Sequence, residues 1–252
     1  SKWLLHNSFH KTNIISIFYL CFMIISIKNI SKSYANINAL LNVSIDLNEG
    51  DIVGLIGENG AGKTTLLKII SCLLRQSAGK VFIDKLDTEH DEYNIKSKIG
   101  YLAENNPLYE EMKVKEYLIF TSKLYGLKNF KKQINEYQKL TEISDLSFRK
   151  ISELSKGQKQ RVGLCSCLLH EPKILILDEP TTGLDPKQLI HFRDLIKKIS
   201  KNKIIIFSTH IINEVSKVCN RIVILKKGIV KKDISINETD NIEKIFESTI
   251  ES

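Results

Sequence analysis

Gly57-Glu58-Asn59-Gly60-Ala61-Gly62-Lys63-Thr64-Thr65 decides the fold of this chain. It fits G-x-x-x-x-G-K-[ST], a glycine loop whose backbone N–H groups curl around a polyphosphate. The apolar run Ile52-Val53-Gly54-Leu55-Ile56 before it reads as a buried strand. After it, Leu66, Ile69, Ile70 and Leu73 recur at helical spacing and predict one helix face. Strand, glycine loop and helix, in that order, is the setting the motif requires, because the helix N-terminus adds positive potential at the phosphates. Lys63 would reach the β- and γ-phosphates, and the Thr64 hydroxyl would hold Mg²⁺.

A second constellation lies further on. Ile174-Leu175-Ile176-Leu177-Asp178-Glu179 is an apolar strand that ends in two carboxylates. A strand buried on both faces has room for charge only at its C-terminal end, where ligands bind. Asp178 would contact Mg²⁺ through water, and Glu179 can polarise an attacking water as general base. Leu154-Ser155-Lys156-Gly157-Gln158 precedes a helix carrying Val162, Cys165 and Leu169. Ser155-x-x-Gln158 fits a capping box. Such a helix start is also a second anion site, and it can serve a nucleotide held by another chain, since this chain has its own glycine loop.

The 252 residues, 42% hydrophobic, suit one large α/β domain or a core with a subdomain. The net charge of +8, from 37 basic and 29 acidic residues, is scattered among Ile and Asn and reads as a solvated basic surface. The five cysteines, Cys21, Cys72, Cys165, Cys167 and Cys219, are odd in number and lie mostly in apolar patterns. They show neither a disulfide framework nor zinc spacing, which fits a reducing cytoplasm. Ile14 to Ile27 is almost wholly apolar, but at 14 residues it is short for a membrane span of about 20. Residues 1–22 are expected to be a dispensable extension, with Met23 as the natural start.

From residue 23 the pattern first predicts antiparallel strands, Ile24–Asn29 and Val43–Leu47, with Tyr34 in a turn between them. Short strands follow at 81–84 and 99–102. Residues from about 105 to 170 read as a helical subdomain, with faces at Val114, Tyr117, Leu118, Thr121, Leu124 and at Ile134, Tyr137, Leu140, Ile143. Strand and helix then alternate to about residue 232, which implies a mostly parallel, helix-covered sheet. The stretch 233–252 reads as a polar, loosely held tail.

In this order and spacing, the motifs resemble the ATP-binding subunit of ATP-binding cassette (ABC) transporters. Gly57–Thr64 resembles Walker A, Leu154–Gln158 the family signature, Ile174–Asp178 Walker B followed by its glutamate Glu179. Gly183-Leu184-Asp185 resembles the D-loop, and His210 after Ser208-Thr209 the switch histidine. The resemblance covers residues 23–232. It implies a P-loop NTPase of the α/β class, with a mostly parallel core, an N-terminal antiparallel β subdomain and a helical insertion. It implies ATP and Mg²⁺ as ligands, with Lys63, Glu179 and His210 catalytic, His210 touching the γ-phosphate, and Tyr34 stacking on adenine. Two cassettes, identical or not, would sandwich two ATPs, each between the Walker A of one and Ser155, Lys156, Gly157 and Gln158 of the other. A separate membrane permease would be the driven partner, with the cassette peripheral on the cytoplasmic face of the cell membrane.

Two residues depart from the family pattern. Lys156 stands where the signature usually has glycine, and Glu104 in Tyr101-Leu102-Ala103-Glu104 stands where a glutamine is usual. Glu104 could bind Mg²⁺ as a carboxylate or face the membrane subunit in a coupling role, the latter being the favoured expectation. Glu104-Asn105-Asn106-Pro107-Leu108-Tyr109 and Pro180 to Pro186 resemble the branch that exports drugs, polysaccharides or gliding-motility components. The alternative is a soluble cassette ATPase working on nucleic acid or ribosomes. Such proteins usually carry a coiled-coil insertion or two cassettes in one chain; neither is present, so no nucleic acid is expected.

Overall fold

The computed structural model describes residues 23–236 and 242–251. The expectations for residues 1–22 lie outside the described residues. In chain order, β1 (Met23–Tyr34) and β2 (Ile37–Asn48) form a hairpin, and β3 (Ile52–Ile56) leads into α1 (Lys63–Ile70). β4 (Ala78–Ile83), β5 (Leu86–Asp87), α2 (Glu92–Lys96) and β6 (Ile99–Leu102) follow. Then come α3 (Val114–Leu124), α4 (Phe130–Leu140) and α5 (Lys156–Leu168). β7 (Ile174–Leu177), α6 (Pro186–Ile199), β8 (Ile204–Thr209), α7 (Ile212–Val215), β9 (Arg221–Lys226), β10 (Ile229–Ser235) and α8 (Ile242–Glu251) complete the order.

Two sheets result. β2-β1-β4-β5 is antiparallel, and β10-β9-β3-β8-β7-β6 is parallel except for its β10 edge. Strands β3, β7 and β8 are buried at every residue, which is why their sequences are apolar except for Ser208 and Thr209 at the end of β8. The period of two along each strand separates two cores. Ile174, Ile176, Ile204 and Ile206 pack with α1 and the antiparallel sheet. Leu175, Leu177, Ile205 and Phe207 pack with α5 and α6 on the other face. The helical subdomain has its own core, which includes Val114, Leu118, Ile134, Ile143 and Val162. Each fully buried Leu or Ile contributes about 1.5–3 kcal/mol.

The expected elements are present with instructive shifts. β1 runs on to Tyr34; Asn29 takes a left-handed φ of 51° and the register shifts between Ile27 and Ile30, so the alternation breaks there although pairing continues. The helix after the glycine loop stops at Ile70, and Leu73 is exposed rather than on its buried face. Cys72 (φ 56°) and Leu73 close the helix, with Cys72 N–H donating to Ile69 O and Leu73 N–H to Lys68 O. The same closure at Glu142 (φ 54°) and Ile143 ends α4 before Ile143. Ile143 is nevertheless buried, because it packs into the helical-subdomain core with Val114, Leu118 and Ile134. The helix expected across Ile211, Val215 and Val218 is only the four-residue α7.

The largest correction is at the C-terminal end. The expected loose tail instead continues β10 to Ser235 and, after the undescribed residues 237–241, forms α8. Arg221 ties the edge down with bonds of 2.8 and 2.7 Å to Asp233 and 3.0 Å to Asp51. Ile242, Ile245 and Phe246 of α8 pack against the α6 side of the core. A period-3.6 apolar face inside a short polar segment is easily overlooked among Glu, Ser and Thr.

The thiols are structural. Cys165, Cys167 and Cys219 are buried, and burial pushes Cys165 and Cys167 up to about 12. His170 is a structural imidazole as well. It stacks on Tyr125 at 3.9 Å, and its Nε2 lies 3.0 Å from Ile99 O, so Nε2 carries the proton. Its buried Nδ1 has no partner among the described residues. Burial lowers its pKa, so the folded form binds fewer protons than the unfolded chain. Stability from this site is complete above the ordinary histidine pKa of about 6.5 and is lost as pH falls below it. A melting curve should show this acid sensitivity, and His170→Phe, which keeps the stacking, should blunt it; an identical pH profile in the variant would refute the assignment.

Candidate active site

The site grows from the C-terminal ends of β3, β7 and β8, adjacent in the parallel sheet. The loop after β3 turns through Gly60 (φ 81°) and Gly62 (φ 104°), conformations that glycine alone adopts freely. A Cβ on Gly62 would lie 2.5 Å from Ala39 O, so close packing against β2 demands glycine as well. Residues 59–65 line a cavity of about 610 Å³ together with Ala39, Glu104, Glu179, Thr182 and His210. Gly57 and Glu58 supply the carbonyls that hold Lys63, at 2.7 and 3.2 Å from its Nζ. Lys63 is 6% exposed and lies 3.6 Å from Glu179 Oε1.

The carboxylates have distinct surroundings. Asp178, 1% exposed, accepts the Thr64 hydroxyl at 3.0 Å and the Ser208 hydroxyl at 2.7 Å, both on Oδ1. Ser208 Oγ in turn accepts the Glu179 N–H at 2.9 Å, so one serine aligns both acids. Glu179 sits in a left-handed conformation (φ 47°), which turns its carboxylate away from the line of β7 and towards Lys63. His210 Nδ1 lies 3.1 Å from Glu179 Oε2, and Thr182 Oγ1 donates to the same oxygen at 3.4 Å. Tyr101 on β6 pairs with Ile176, which puts its ring on the Asp178 side of the sheet. Burial, and then the Asp178 charge, raise its pKa, which leaves it a neutral phenol; among the described residues its hydroxyl has no hydrogen-bond partner.

Lys63, Thr64, Glu179, His210 and Glu104 thus line one cavity, and buried Asp178 joins it through the Thr64 hydroxyl. Tyr34 stands apart from its lining, at the end of β1, with Lys32 Nζ 5.1 Å over its ring. Its strand partner Ile37 precedes Ala39, which does line the cavity. The 155–158 stretch also lies elsewhere. Ser155 caps α5 as expected, accepting the Gln158 N–H at 3.3 Å while Gln158 Oε1 accepts the Ser155 N–H at 3.0 Å. Gly157 lines a separate cleft of about 470 Å³ between α5 and α6, and that cleft holds none of Lys63, Asp178 or Glu179. The sequence assigns no role to Ser208 beside His210 and does not mark Thr182 or Ala39 as parts of the site. A serine inside an apolar strand, Ile204-Ile205-Ile206-Phe207-Ser208, is the signal that could have exposed Ser208.

Hard oxygen donors suit a small divalent cation. The Thr64 hydroxyl and the Asp178 carboxylate, in contact, with Glu104 on the same cavity wall as Thr64, are such a donor set, so these residues fit Mg²⁺.

The ABC transporter family profile matches residues 40–182, a span that runs from the cavity edge at β2 to Thr182. The chain is 37% identical to the ABC transporter ATP-binding protein NatA of Bacillus subtilis, over 77% of this chain and 80% of that protein. It superposes on the dimeric ATP-binding cassette MJ0796 in a post-hydrolysis state with ADP and Pi, with a TM-score of 0.75 and 30% identity, covering 84% of this chain and 98% of that one. It also matches cbiO1 of Clostridium perfringens, part of the ABC transporter complex cbiONQ, with a TM-score of 0.79 and 26% identity over 90% and 94% of the two chains. A phosphate loop, a strand-end acid pair and this fold therefore have one reading: the chain belongs to the ABC transporter family, as an ATP-hydrolysing ATP-binding cassette.

Proposed function

We propose that two such cassettes, identical or not, pair head to tail and drive export by a separate membrane subunit. Each ATP would lie between residues 57–65 of one chain and 155–158 of the other. The observation that carries this reading is the separation of the two phosphate-type elements within one chain: the capped start of α5 lies outside the cavity that holds Lys63. A second chain brings an equivalent element to that cavity. The dimeric MJ0796 and the complex containing cbiO1 support it. Among the described residues no helix is long and apolar enough to cross a membrane.

Lys63 rests on loop carbonyls and on Glu179. Nucleotide phosphates, carrying more charge, draw its ammonium to themselves. Glu179 is then left to take the proton of the attacking water, with His210 and Thr182 holding its other oxygen. His210 also reaches the γ-phosphate, and Tyr34 covers the adenine from the β1 side. Mg²⁺, when bound by Thr64, Asp178 and Glu104, neutralises phosphate charge.

The direction of transport rests on the likeness of residues 104–109 and 180–186 to exporters. Copurification tests it: the chain should bring down a membrane protein of several spans, and recovery with nucleic acid or ribosomes would favour the soluble alternative. Glu104 has its own test. Its place on the cavity wall supports the metal role over the coupling role. Glu104→Gln should keep ATPase activity with a modestly higher Mg²⁺ requirement, since an amide oxygen also ligates. Glu104→Ala should lose more. An isolated Glu104→Ala chain with full activity and unchanged Mg²⁺ dependence would return Glu104 to the coupling role.

A further inference from the structure

Lys156 departs from the glycine usual in the signature, and its side chain has a definite resting place. A Cβ built on Gly183 would lie 2.9 Å from Lys156 Nζ and 3.1 Å from its Cδ, so the lysine lies across Gly183. Gly183 has a φ of 79°, in the turn that connects Glu179 to α6. The first turns of α5 also touch this turn and the start of α6 after it. Gln160 Nε2 donates to Pro180 O at 3.4 Å, and a Cβ on Gly157 would fall 2.6 Å from Gln188 Oε1. The Glu179 turn and the start of α5 therefore pack as one block. Among the described residues the Lys156 ammonium has neither a hydrogen-bond nor an ion-pair partner, so packing of its stem alone holds it there.

A charged head without a partner, on a stem that packs, has a second place available when an anion arrives beside it. We propose that Lys156 is a positioning residue with two places: over Gly183 in the separate cassette, and on the phosphates of the partner-held ATP in the pair. The inference rests on the head-to-tail reading above. ATP bound by one chain then lifts the lysine of the other off Gly183 and frees the turn that carries Glu179. Nucleotide arrival in one site thereby reaches the general base of the other, by way of a residue that glycine could not replace.

The test uses the full chain carrying Glu179→Gln, so that ATP is retained. Dimer formation is followed by light scattering during MgATP titration at low and at raised salt. Lys156→Met keeps the stem and removes the charge; it should need about tenfold more ATP for half-dimerisation, the scale of one charge-assisted hydrogen bond. The gap should narrow at raised salt, and Lys156→Arg should close most of it. In the ATP-free protein, Lys156→Gly should speed amide hydrogen exchange at residues 180–185 several-fold, whereas Lys156→Met should not. A Met variant that dimerises at the unaltered ATP concentration overturns the proposal, as does a Gly variant with unchanged exchange. If the Glu179→Gln parent, which retains Lys156, stays monomeric in saturating MgATP, the paired-cassette reading fails and the switch fails with it.

Discussion

Glu179→Gln is expected to bind ATP as the unaltered chain does while its turnover falls at least ~10²-fold, the scale of general-base removal. The substitution keeps the shape of the side chain and leaves the Ser208 bond to the Glu179 backbone N–H untouched. It removes the carboxylate that faces the cavity within reach of Lys63 and His210. Asp178 cannot stand in, because its Oδ1 is taken up by Thr64 and Ser208 and the residue is buried. ATP retained without hydrolysis should also accumulate the paired form in sizing runs. Single-turnover hydrolysis with labelled ATP measures the effect, and a near-normal rate would remove Glu179 from the base role.

Lys63→Met should weaken ATP binding at least ~10²-fold. Two charge-assisted hydrogen bonds to phosphate, at about 1.5–3 kcal/mol each, set that scale. The same ammonium holds the Gly57 and Glu58 carbonyls and faces Glu179, which is only 9% exposed. The substitution therefore also leaves a buried carboxylate short of its nearest cation, and the melting temperature should fall or the glutamate should take up a proton. Equilibrium binding of a fluorescent ATP analogue tests the first effect. An affinity within threefold of the unaltered chain would mean that the loop amides alone hold the phosphates.

Much of this site was legible in the residues because its key parts are contiguous. Gly60 and Gly62 are dictated by local backbone geometry, and Asp178-Glu179 by the burial of the strand before them. The misread boundaries have a local cause too. At Leu73 and Ile143 an apolar residue follows a left-handed helix closure, and its spacing imitates one more helical turn. At Asn29 a bulge interrupts the alternation on which strand reading depends.

The sequence by itself determined the phosphate loop, the acid pair and the alternation that makes a helix-covered parallel sheet, since each rests on short-range sterics or on a residue's own need for burial. Only the tertiary structure decided who touches whom. Thr64 meets Asp178 across 114 positions, Ser208 meets Asp178 across 30, and Lys156 lies over Gly183. Strand order and register create those meetings, and no periodicity within one segment records which distant segment will lie beside it. The same holds for α8, whose apolar face acquires its meaning from the core wall it covers.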